Sequence, residues 1–101
     1  MATSNNYQFI PAYYEWHLID EQGEVLHNMA DPVEGLFDEN GEALTLESIK
    51  EFCEGDLLCA ENAYRNDYDY NGIRLKESLT DEQIKAATEV MAEALYNYYM
   101  A

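Results

Sequence analysis

Asp67, Asp69, Asn71 and Gly72 stand in the order of the first half of a calcium-binding loop, D-x-[DN]-x-[DN]-G. Such a loop works because short oxygen-bearing side chains at alternate positions converge on one hard cation, while the glycine makes the sharp turn. The second half does not follow. The eighth residue from Asp67 is Arg74, where an apolar side chain belongs, and the twelfth is Ser78, where a bidentate Glu closes the coordination sphere. Glu77 falls one position short, so the segment reads as an Asx-rich turn. His17, His27 and Glu15 are zinc-type ligands, but a zinc site needs three or four protein ligands, and no others occur at suitable spacing. The sequence has no Gly-rich phosphate loop, no HExxH and no Ser with an evident His and Asp partner. Paired carboxylates of glycosidase type also need a substrate cleft, which a chain of 101 residues rarely builds. These residues predict neither an enzyme nor a metal or cofactor site.

Carboxylates are the chemistry present in quantity. Asp and Glu number 21 against five Lys and Arg, for a net charge of −16. Residues 15–69 hold 16 acids and two bases, whereas residues 70–101 hold five acids and three bases. Between Asp38 and Asp69, ten of 32 residues are acidic. Unpaired carboxylates repel one another and oppose compaction, so their retention in a small chain points to a use in association. The expected acidic face comprises Asp20, Glu21 and Glu24 at one turn and Asp38, Glu39 and Glu42 at another. It continues with Glu47, Glu51 and Glu54 at helical spacing, then Asp56, Glu61, Asp67 and Asp69. Tyr68 and Tyr70 lie among these acids as candidate aromatic contacts, since Tyr supplies large contact area at interfaces.

The elements that must carry these groups can be read from periodicity. Residues 7–19 are rich in aromatic and β-branched types, and from Tyr14 they alternate. Tyr14, Trp16 and Leu18 fall on one face, and Glu15, His17 and Ile19 on the other, as in a half-buried strand that begins after Pro11 or lies at an edge there. A turn at Asp20–Gly23 returns the chain into a second strand over residues 24–29, with Ile19 opposite about Leu26, His17 near Asn28 and His27 near Leu18. The string apolar–Asp–Glu–amide–Gly–Glu–apolar occurs at residues 19–25 and again at 37–43, which predicts two turns of the same chemistry. Thr45 is a good N-cap for a helix to about Glu54, with Leu46, Ile49, Phe52 and Cys53 as its apolar stripe. Gly55 ends or bends it, and Asp56 caps a second short helix over residues 57–66 that buries Leu57, Leu58 and Tyr64. Ile73–Leu75 reads as a short strand. Thr80–Gln83 is a capping box for a helix to about Tyr99, with Ile84, Ala87, Met91, Leu95 and Tyr98 on its packed stripe. The sum is one α+β domain: a small antiparallel sheet of three or four strands with two or three helices on one face, preceded by a flexible segment over residues 1–6.

The hydrophobic share of 48% and the nine Tyr exclude disorder by composition. A polar start without a basic segment or long apolar run argues for a cytoplasmic chain with no membrane partner, and anionic lipid would repel its charge. Cys53 and Cys59 are then expected to be reduced, small and buried. The aromatic end Tyr96–Met100 offers a contact for a partner or a homodimer.

Nucleic-acid-binding proteins show basic stripes that meet phosphates. This chain shows the inverse, so it does not bind nucleic acid directly, and a basic nucleic-acid-binding protein is the partner its field attracts. Phosphates recur every ~3.4 Å of axis along a strand of B-DNA, and side chains at i and i+4 of a helix lie about 6 Å apart. A row of helical and turn-tip carboxylates can therefore be read as a backbone. In size, acidity, Tyr content and shortage of Lys and Arg, the chain resembles the phage and mobile-element DNA-mimic inhibitors, a class that includes anti-restriction proteins, anti-CRISPR proteins and uracil-DNA glycosylase inhibitors. The likeness covers composition and the 15–69 charge pattern, and that class shares no single fold. It implies stoichiometric, non-enzymatic occlusion of a basic cleft on a nuclease, CRISPR effector, restriction or repair enzyme, inside a bacterial host if phage-encoded. The alternative is an adaptor or oligomeric subunit whose acids only keep it soluble.

Overall fold

The computed structural model describes residues 6–30, 32, 36–67, 75 and 77–100. Three strands and two helices follow one another: β1 (Gln8–Ala12), β2 (Glu15–Ile19), β3 (Val25–Ala30), α1 (Leu46–Arg65) and α2 (Asp81–Tyr99). The strands form an antiparallel sheet in the order β1-β2-β3, and the fold is α+β. Phe9, Trp16, Leu18, Leu26 and Met29 turn inward and join Ile49, Cys53, Leu57, Ile84, Met91 and Leu95 of the helices in one buried cluster.

The aromatic stretch at residues 7–19 forms two strands where one was expected. Tyr13 and Tyr14 make a two-residue reversal, so that Pro11 pairs with Trp16 and Ala12 with Glu15. Tight turns of this length favour Asn-Gly or Asp-Gly, and nothing in Tyr-Tyr signals one. Tyr14 is consequently 80% exposed at the turn and does not share the buried face of Trp16 and Leu18. Pro11 sits on an edge strand, where its missing N–H is tolerated.

The register of β2 with β3 contains a bulge. Leu18 faces His27 and His17 faces Asn28, as expected, but Ile19 faces Val25, leaving Leu26 as the extra residue. In a regular strand consecutive residues point to opposite faces. The bulge relaxes that alternation, and Leu26 and His27 are both buried. The second turn closes with the same span: Phe37 bridges Ala43 as Ile19 pairs with Val25.

The largest correction concerns α1. Residues 46–65 form one continuous helix, not two broken at Gly55. Gly55 has no positive φ, and packing of a long apolar stripe outweighs its modest helix penalty. With the helix unbroken, the phase past Gly55 is fixed. Leu57 is buried, while Leu58 is 47% exposed and Cys59 is exposed, both contrary to the sequence-based expectation. Thr45 caps α1 through the Ser48 amide, and Thr80 with Gln83 forms the capping box of α2. Tyr98, expected on the packed stripe of α2, is 62% exposed. Of the flexible start expected over residues 1–6, residues 1–5 lie outside the described residues, as do the expected strand residues Ile73 and Arg74, whereas Leu75 belongs to the core.

Candidate acidic interface

The two turns are built alike. Asp20 Oδ1 accepts from the amides of Gln22 and Glu24, each at 2.9 Å. Asp38 Oδ1 accepts from the amides of Asn40 and Glu42, at 2.8 and 2.9 Å. Gly23 and Gly41 take φ of 83° and 80°, a region that glycine enters without the steric penalty of a side chain. One Asp in each string therefore shapes its turn, and the following acids, Glu21 and Glu24 or Glu39 and Glu42, are exposed. Half-buried Asp20 also lies close to Tyr7. Burial, then the charges of Glu77 and Asp20, push the Tyr7 hydroxyl above its usual range. Glu77 thus extends the negative surface at the first turn, a neighbour that no sequence spacing indicated.

Glu47, Glu51 and Glu54 are exposed on α1. With Lys50, they line a groove of about 290 Å³ whose other wall is Lys85, Thr88 and Glu89 of α2. Four carboxylates there face two ammonium groups, one of which, Lys50, is 3.6 Å from Glu47. At the groove, the Thr88 hydroxyl is buried and has no hydrogen-bond partner among the described residues.

Two acids expected on this face serve the interior. Asp56 is half-buried, and its Oδ2 accepts from Nε2 of the wholly buried His27 at 2.7 Å. The His27 Nδ1 has no partner among the described residues. Burial, and then the Asp56 charge, push the nearby Cys53 thiol up to about 12. That thiol stays protonated and behaves as a small apolar group. Glu61 is 2% exposed. Its carboxylate accepts from the Leu79 amide at 3.1 Å, the Ser78 hydroxyl at 2.9 Å and the Arg65 guanidinium at 3.2 Å. Burial alone would raise its pKa, but these donors, led by the Leu79 amide, hold the carboxyl below its usual range. Glu61 fastens the approach to α2 onto α1 and is removed from the acidic face.

The histidines do not meet. His17 pairs with Glu15, which also accepts from Asn28 at 3.0 Å, whereas His27 faces the core. Among the described residues no group of three or more His, Cys, Asp or Glu is placed to hold a metal. Asp67 is exposed with a φ of 56°. Asp69, Tyr68 and Tyr70, with the rest of the calcium-like string through Arg74, lie outside the described residues. Ser78 is engaged by Glu61.

A second surface gathers aromatic groups. Pro11, Ala12, Tyr14, Glu15, Trp16, Pro32, Tyr98 and Tyr99 line a cleft of about 280 Å³. Trp16 meets Tyr98 edge-on at 5.1 Å between ring centres. The Tyr13-Tyr14 and Tyr98-Tyr99 pairs were its only trace in the sequence. No described helix is long and apolar enough to cross a membrane. No protein-family model matches the chain, and no curated protein or solved structure matches it.

Proposed function

We propose that the chain is an acidic mimic of nucleic acid. In this reading it occupies the basic binding surface of a defence or DNA-processing protein, such as a nuclease, CRISPR effector, restriction or repair enzyme, without catalysing a reaction. The observation that supports it best is the exposed carboxylate row Glu47, Glu51 and Glu54 on one helix, with Glu89 across the groove. The two acidic turns add Glu21, Glu24, Glu39 and Glu42. Side chains one helical turn apart lie about 6 Å from each other, a spacing that Lys and Arg side chains of a phosphate-tracking cleft can follow. The test is competition. Purified restriction, CRISPR and repair proteins are loaded with a labelled duplex, and the chain is titrated in at moderate salt. Displacement at submicromolar concentration, weakening steeply as salt rises, is the expected result. If no basic protein binds it in that range, the reading fails.

One observation favours a second reading, that of an adaptor or oligomeric subunit: Tyr13, Tyr14 and Tyr98 are 83%, 80% and 62% exposed. Sedimentation over a range of concentrations separates the two, because an oligomeric subunit assembles without any partner.

A further inference from the structure

The two acidic turns share a string but differ at one position, and the difference is chemical. Gln22 precedes Gly23 in the first, whereas Asn40 precedes Gly41 in the second. Asn is a labile residue, because the backbone nitrogen that follows it can attack its side-chain carbonyl carbon, Cγ, and close a five-membered succinimide. The same attack on Gln needs a six-membered ring and is far slower. Glycine is the best following residue, since no side chain shields its nitrogen. Around Gly41 the space is open: even an added Cβ would meet nothing within 4 Å. Asn40 itself is exposed.

The folded turn applies a brake. The Gly41 amide donates to the Asp38 carbonyl at 2.9 Å, so attack must wait for that bond to open. The first turn has the same bond, from the Gly23 amide to the Asp20 carbonyl at 3.0 Å. What flanks these bonds differs. The first turn is clasped between β2 and β3, which pair from Ile19 and Val25 to Glu15 and Ala30. Beside the second, the described residues form one bridge, Phe37 with Ala43, and one further bond from the Leu44 amide to the Leu36 carbonyl. Segments held by few contacts open locally at small cost. The residue that can react thus sits in the turn that opens more readily.

We propose that Asn40 is a site of spontaneous deamidation, which gives the second acidic turn a further carboxylate as the protein ages. The Gly41 nitrogen loses its proton to solvent and bonds to Cγ of Asn40. The Cγ–Nδ2 bond breaks, and that nitrogen takes up a proton and leaves as ammonia. Water then opens the ring. Addition at Cγ gives aspartate, and addition at the backbone carbonyl carbon gives isoaspartate, whose main chain runs through Cβ. Either product adds one negative charge to the −16, beside the exposed Glu39 and Glu42. Isoaspartate also lengthens the main chain between the two amides, of Asn40 and Glu42, from which Asp38 Oδ1 accepts. The inference does not depend on nucleic-acid mimicry, because the reaction needs only water.

The test incubates the full chain at physiological pH and temperature. Intact mass and peptide mapping that resolves asparagine, aspartate and isoaspartate follow the reaction. Mapping is needed because the other Asn-Gly pair of the sequence, Asn71-Gly72, lies outside the described residues. Asn40 should convert to a mixture of both acids while Gln22 persists. Conversion should quicken as pH rises, since the attacking nitrogen must lose a proton. Asn40→Gln should abolish conversion at that turn. Gln22→Asn places the reactive pair in the first turn. There conversion should run at least about fivefold more slowly than at Asn40, the factor that about 1 kcal/mol of extra opening cost produces. Retention of Asn40 over the time in which an unfolded peptide of residues 36–44 converts overturns the proposal. So does conversion in Gln22→Asn at the rate of Asn40 or faster, or conversion confined to Asn71.

Discussion

The two halves of α1 use the same chemical group for opposite purposes. Before Gly55, Glu47, Glu51 and Glu54 point to solvent and carry the groove's charge. After it, Asp56 and Glu61 turn inward, one to His27 and the other to the Leu79 amide and Ser78. Helical phase makes the difference, and a count of acids cannot see it. Charge that serves association must stay solvated, whereas charge that serves the fold must find donors that replace its water. The groove therefore holds carboxylates whose removal should matter to a partner and hardly to stability. Asp56 and Glu61 should show the reverse.

Glu61→Ala should break the contrast most severely. It leaves the buried Leu79 amide without its acceptor, and a lost charge-assisted bond with a stranded donor costs about 3 kcal/mol. The folded-state value of Glu61 is lowered, so its contribution is complete above the ordinary value of 4.5 and fades as pH falls through the lowered value. Urea melts of wild type and variant should thus differ most near neutral pH and converge in acid. Asp56→Ala strands Nε2 of a buried histidine whose Nδ1 has no partner among the described residues. A loss of about 2 kcal/mol is expected from the same melts. Gly55→Ala is the smallest change and runs the other way. A Cβ there meets nothing within 4 Å, so relief of the helix penalty should stabilise by about 0.5–1 kcal/mol. Destabilisation would mean that the helix breaks at Gly55 after all.

Much of the frame was legible beforehand. Both N-caps, the end of α2, the β2–β3 pairing of His17 with Asn28 and the α+β architecture follow from local chemistry: Thr at the caps, Gly at the turns, and alternation along the strand. The errors share one cause. At Gly55 and at Tyr13-Tyr14 a local preference gave way to packing, because the long stripe Ile49–Cys53–Leu57–Ala60 holds α1 straight and the pairing of Phe9 with Leu18 folds β1 back on β2. The fate of the acids depended on those two decisions. Once α1 is continuous, Asp56 and Glu61 must face inward. The His27–Asp56 contact spans 29 residues and depends on a bulge, neither of which has a local signal. The two acidic turns were the most readable part of the site, since their repeated string marked both turns and the Glu residues they display, although it put Asp20 and Asp38 on the displayed face and not in the turns they build.

A partner that reads this surface should read the outward carboxylates of α1 first. The decisive measurement is displacement of a labelled duplex from the basic protein found by competition, comparing wild type with Glu47→Lys/Glu51→Lys/Glu54→Lys and with Glu93→Lys. Glu93 is exposed on α2 but does not line the groove. The triple variant should fold, lose displacement and associate far more slowly, while Glu93→Lys should behave nearly as wild type. Equal losses in the two variants, or undiminished displacement by the triple variant, would contradict that expectation.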